Sequence, residues 1–137
     1  MAVGDSAQSD ELIRAIRDGL DHEFHTYITA LFSLLTAKYF ENDSSPEALR
    51  RYVLELRHDF RTAEPPFKAL AMEGLLRAFF GEDHLMSEID ASDQPECELM
   101  SIRKMVFDSP MISAALDRYL SDAETVAREW ETEDAQA

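Results

Sequence analysis

The stretch FHTYITALFSLLTA, residues 24–37, holds no Asp, Glu, Lys or Arg, in a chain of 137 residues that carries 28 acids and 13 strong bases. Its period decides the fold. Phe24, Ile28, Leu31 and Leu35 recur at helical spacing. His22, Thr26, Thr29, Ser33 and Thr36 follow the same spacing on another side. A helix with its back to water carries Glu, Lys or Arg there, whereas this one presents short hydroxyls. Three placements account for that. The helix sits at the centre of a bundle with its hydroxyls bonded back to backbone carbonyls, or forms a subunit interface, or lines a pocket where sparse hydroxyls orient a ligand among apolar walls. Central burial is the expectation.

Working outward, Leu12, Ile13, Ile16 and Leu20 begin the first helix, which Gly19 bends or breaks before the same spacing continues. On the other side, residues 41–46 form a turn in which Ser44 and Glu47 have capping-box spacing and Pro46 stands in the first turn. A second helix carries Leu49, Tyr52, Val53, Leu56 and Phe60 on one face. Pro65 and Pro66 end it and start a third, with Leu70, Met72, Leu75, Leu76, Phe79 and Phe80, closed by Gly81. A short helical turn follows at 83–89. Ser92 to Pro95 opens a further helix with Leu99, Ile102, Met105 and Val106. Asp108-Ser109-Pro110 is a sharp boundary, and Ile112, Leu116, Tyr119, Leu120, Ala123, Val126, Ala127 and Trp130 form one stripe beyond it. No β-branched alternating run and no Asn-Gly hairpin signal interrupts the helical period. The expectation is an all-α, single-domain bundle of five to six helices over residues 9–131 with a central uncharged helix. A flexible N-terminus, 1–8, and an acidic flexible tail, 132–137, flank it.

Composition narrows the function classes. With 45% hydrophobic and 30% charged residues the chain folds rather than staying disordered. Its formal net charge of −15 repels nucleic acid and anionic membranes. The densest basic cluster, Arg50, Arg51, Arg57 and Arg61, is interleaved with Glu47, Glu55 and Asp59. No direct nucleic-acid partner is expected, and no membrane one, since no apolar run reaches the roughly 18–20 residues of a span. The single cysteine, Cys97, excludes an internal disulfide and suits a reducing compartment. Its neighbours Glu96 and Glu98 disfavour a thiolate nucleophile. The first residues lack the basic and apolar regions of a signal peptide, so a cytoplasmic location is expected.

Few residues carry candidate chemistry. His22 and His25 lie three apart with Asp18 and Asp21 four residues before each, a candidate end for a metal or small ligand. Glu55 and His58 make one E-x-x-H unit, where a di-iron bundle needs two and two further glutamates. His58-Asp59-Phe60-Arg61-Thr62 resembles the phospho-accepting box of sensor histidine kinases. The resemblance spans five residues and implies that His58 accepts phosphate on an exposed helical face while Asp59 assists as base. The proline pair follows two to three positions later than in that family. There is no Gly-rich nucleotide site, so the form implied is a stand-alone phosphotransferase. No G-x-S-x-G, Cys–His pair or phosphate-cradling glycine loop is present. Phe79 and Phe80, before Gly81, together with Met86 are the candidate partner-facing residues. The functional expectation is a small acidic regulatory or adaptor protein that acts by binding a protein partner, without catalysis or cofactor; a basic partner and a homodimer are the candidates that charge and the uncharged helix suggest. Phosphotransfer through His58 and ligand or metal binding at His22 and His25 are the alternatives.

Overall fold

Prolines and capping serines cut the chain where its helices change direction. The computed structural model describes residues 22–64 and 66–136 and is all-helical, with no strand among the described residues. Its elements are α1 (His22–Tyr39), α2 (Pro46–Asp59), α3 (Ala69–Phe79), a 3-10 helix (Asp83–Glu88), α4 (Asp93–Asp108), α5 (Pro110–Ala114) and α6 (Leu116–Gln136). Five of these are 11 residues or longer. No described helix is long and apolar enough to cross a membrane. The expected start of the first helix, Leu12 to Leu20 with its bend at Gly19, and the expected loose residues 1–8 lie outside the described residues.

The ends of the helices follow local chemistry. Ser45, not Ser44, caps α2. Its hydroxyl accepts from the Ala48 N–H at 3.2 Å, while Asp43 accepts from the Ser45 N–H at 3.0 Å and fixes the turn one residue later than the capping-box spacing suggests. Helix α3 starts at Ala69 rather than at the proline pair. It ends in a Schellman arrangement: Glu82 N–H bonds to Arg77 C=O at 3.0 Å and Gly81 N–H to Ala78 C=O at 3.2 Å. Gly81 takes φ +122°, a conformation that L side chains rarely adopt. Ser109 caps α5 through the Ile112 N–H at 3.2 Å, with Pro110 in the first turn, as the boundary predicts. The single stripe expected beyond Pro110 is broken. Ala115 N–H turns back to Met111 and Ile112 C=O, which closes α5 after five residues before α6 begins. The backbone then stays helical to Gln136, past residue 131, where the sequence pattern ends the domain.

Helix α1 packs along α6 and α4, α3 packs on α2 and the 3-10 helix, and α4 reaches both groups. The core joins Phe32 and Leu35 of α1, Leu56 of α2, Met72 and Leu76 of α3, Met105 of α4, Ile112 of α5 and Ala123 of α6, all essentially without solvent contact. Burying each of the larger ones contributes about 1.5–3 kcal/mol. Phe40 fixes the α1–α2–α3 corner, edge-on to Tyr39, Tyr52 and Phe80 at 5.0, 5.1 and 5.8 Å between ring centres. The hydroxyl side of α1 turns toward α4. Thr36 is buried with Oγ1 4.0 Å from Met105 Sδ, and Ser33 donates back to Thr29 C=O at 2.8 Å.

Candidate functional site

Two of the clefts lie between α4 and the helices that pack on it. The larger lies between α2 and α4 and encloses about 730 Å³. Helix α2 lines it with Arg51, Leu54, Glu55 and His58, residues that share one face by their spacing. Helix α4 answers with Arg103, Lys104, Phe107 and Asp108. The Lys104 ammonium lies 2.8 Å from Asp108 and 3.3 Å from both Glu55 and Asp59, and 5.6 Å above the Tyr52 ring. Burial opposes its charge, but the three carboxylates outweigh that and hold its pKa above the ordinary lysine value. Below it, the Tyr52 hydroxyl sits 2.7 Å from the Ser101 hydroxyl in the core. Leu54 and Phe107 stand on the lips at 55% and 82% exposure.

His58 is exposed on the edge of this groove. Arg61 donates to its carbonyl at 2.8 Å and places a guanidinium nitrogen 3.4 Å from its Nε2. Asp59, the acid that the kinase-box resemblance sets beside the histidine as base, points its carboxylate to Lys104.

The second cleft, of about 370 Å³, is bounded by α1, α4 and α6. His25, Thr26, Ile28 and Thr29 come from α1, Gln94, Pro95 and Glu98 from α4, and Trp130 from α6. Glu98 is 2% exposed. Its carboxylate accepts from Thr29 Oγ1 at 2.9 Å and from Gln94 Nε2 at 3.1 Å. Burial pushes its pKa up to about 7, against the pull of those two bonds. His25 Nε2 is screened from solvent and has no hydrogen-bond partner. The hydroxyl stripe of α1 therefore divides: its Thr36 end is core, and its Thr26 and Thr29 end lines this cleft.

The other singled-out residues scatter. The His22 side chain lies outside the described residues, so its pairing with His25 has no geometry. Among the described residues no group of three His, Cys, Asp or Glu side chains gathers to hold a metal. Cys97 is buried, and burial foremost, then Asp93, Glu96 and Glu98, pushes its thiol up to about 12. Phe80 packs onto Phe40, while Phe79 and Met86 keep 37% and 38% exposure; none of the three lines either cleft.

Sequence reasoning passed over Leu54, Phe107, Lys104 and the carboxylate of Glu98. For the first two a signal exists. Leu54 stands out of phase with the Leu49, Tyr52, Val53 and Leu56 stripe, and Phe107 out of phase with Ile102, Met105 and Val106. No family model, curated protein or solved structure matches the chain.

Proposed function

We propose that this chain is a small acidic adaptor without catalysis of its own, which receives a basic, amphipathic segment of a partner protein in the α2/α4 groove. The observation that carries the reading is the pair of large apolar side chains, Leu54 and Phe107, held in water on the two lips of one groove. A partner's apolar side chain between them removes both from water, the kind of aromatic anchor on which interfaces depend. Within the groove, Arg51, Arg103 and Lys104 balance Glu55, Asp59 and Asp108, so close-range affinity there is apolar. The net charge of −15 acts at longer range and favours encounter with a basic partner. Glu55 and Asp59 stay about half exposed and accept a partner cation beside Lys104.

Affinity capture with the wild-type chain, Phe107→Asp, and Leu70→Asp as an exposed control on α3 tests this. The expected result is one stoichiometric protein retained by wild type and by Leu70→Asp, lost by Phe107→Asp, and captured less readily when binding is carried out at higher salt. Identical capture by wild type and Phe107→Asp sinks the reading. Sedimentation that shows a dimer broken by Phe107→Asp assigns the groove to a second copy of the chain instead.

A second reading is favoured by one contact. The Arg61 guanidinium beside the exposed His58 ring is placed to meet a phosphoryl group that a partner's aspartyl phosphate transfers to an imidazole nitrogen. Incubation with a phosphorylated response regulator should then leave one acid-labile phosphate, absent in His58→Gln. No label on the wild-type chain removes this reading.

A further inference from the structure

The cleft between α1, α4 and α6 is lined by a buried carboxylate that the fold leaves without a cation. Glu98 carries a carboxylate into a 2% exposed position, and both of its donors, the Thr29 hydroxyl and the Gln94 amide, are neutral. No lysine or arginine among the described residues pairs with it. Two donors leave part of a carboxylate's roughly four acceptor positions open, and a buried charge without a counter-ion is costly. A glutamine or an aliphatic side chain at 98 would serve packing at less cost. His25 also borders the cleft, with its Nε2 shielded from water and without a hydrogen-bond partner. Trp130 supplies an aromatic wall, and Ile28 and Pro95 an apolar lining.

We propose that this cleft binds a small organic cation, a primary ammonium or a guanidinium, with the Glu98 carboxylate as its counter-ion and the Trp130 indole as its aromatic wall. The alternatives fit less well. A neutral ligand leaves the Glu98 charge uncompensated, and an anion is repelled by it. A divalent metal needs more ligands than one carboxylate and one imidazole, and no third such side chain joins them among the described residues. An organic cation donates to the open acceptor positions of the carboxylate, and an indole attracts it through its ring face. The volume of about 370 Å³ lies at the small end of ligand pockets and suits a short-chain amine or guanidine. Binding also ionises Glu98 fully, so it strengthens as pH rises through the range where that group loses its proton. The other titratable side chain lining the cleft is His25. This site is separate from the α2/α4 groove, and its test is separate too.

Trp130 is the chain's single tryptophan, so its fluorescence reads this cleft alone. The full chain at mildly alkaline pH is titrated with n-butylammonium, n-butylguanidinium, the arginine side chain of N-acetylarginine amide, and neutral n-butylurea. A saturable change with the cations and none with the urea is expected. Saturation by the free butyl cations identifies a small-molecule ligand, and saturation by the arginine amide alone identifies a side chain of a peptide. Glu98→Gln keeps the shape of the site and should weaken binding about tenfold or more, the loss of one charge-assisted contact. Circular dichroism and a thermal melt establish that the variant is folded. If it is not, Trp130→Phe followed by calorimetry carries the test, with weaker binding expected. The proposal is overturned if no cation saturates the signal at tens of millimolar, if the urea binds equally well, if folded Glu98→Gln binds like the parent, or if zinc alone saturates the site.

Discussion

At position 98 the fold spends stability to hold an acid out of water. Burial raises the Glu98 pKa from its ordinary 4.5 to about 7, against its bonds to Gln94 and Thr29. Between those values the folded chain keeps a proton that the unfolded chain has released. The stability linked to this group is therefore fully present below about 4.5 and is lost as pH rises through about 7, a swing of roughly 3 kcal/mol. Glu98→Gln removes the titration. Urea denaturation near pH 8 should show the variant more stable than the parent by roughly 1–3 kcal/mol, with most of the gap gone near pH 5. A variant destabilised equally at both pH values would mean that hydrogen-bond geometry, not the charge, governs the position. Lys104 is the opposite case, a buried cation with three acids around it. Lys104→Met strands Glu55, Asp59 and Asp108 as like charges in one place. Because those acids are half open to water, the cost in chemical denaturation should be about 1–3 kcal/mol, below the full penalty of breaking a buried pair. Stability unchanged by Lys104→Met would show that the cluster contributes nothing net. Neither residue is legible in the sequence. In a chain with 28 acids, a Glu or Lys at helical spacing reads as solvated face, and only the third element packing over α4 decides otherwise.

At the scale of elements the pattern is far more legible, because caps and stripes are local. The Asp108-Ser109-Pro110 break, the closing glycine at 81 and the buried face Leu49, Tyr52, Val53 and Leu56 all follow from residue type and spacing. Where the pattern misleads, a neighbour has intervened. Ser44 has the capping-box spacing to Glu47, yet Asp43 takes the Ser45 N–H and the cap passes to Ser45. Ser45→Ala should cost about 1 kcal/mol and Ser44→Ala less than about 0.5 kcal/mol in thermal or urea unfolding. Equal losses would return the cap to Ser44. The break at Ala115 is invisible for a similar reason: alanine favours helix, and only the hydrogen bond that its N–H shares between Met111 and Ile112 C=O closes the turn. At Gly81 the space around a new Cβ is empty, so the cost of Gly81→Ala is conformational alone. A loss of about 1–3 kcal/mol is expected from the positive φ. A neutral Gly81→Ala would show that the Schellman turn relaxes without loss.

For the whole molecule, charge sets two opposite responses to salt. With −15 net, the folded chain concentrates like charges that the unfolded chain spreads apart, and added salt relieves that repulsion. The attractive pairs that salt also weakens are mostly exposed, such as Lys38–Glu41, Arg77–Glu73 and Arg128–Glu124, and such pairs are worth little. The Lys104 cluster is sheltered and is screened less. Repulsion should therefore win, and Tm should rise as sodium chloride increases from about 0.02 to 0.5 M, a range over which the screening length falls from tens of ångströms to a few. The same ions act against encounter with a basic partner, because the long-range field that speeds association is what they screen. Association measured by stopped flow should slow over the range in which the fold becomes more stable. Dissociation of the proposed complex, if set by apolar contacts to Leu54 and Phe107, should change little. A Tm that falls with salt would show that ion pairs outweigh self-repulsion. An association rate indifferent to salt would remove the basic partner while leaving an apolar one in place.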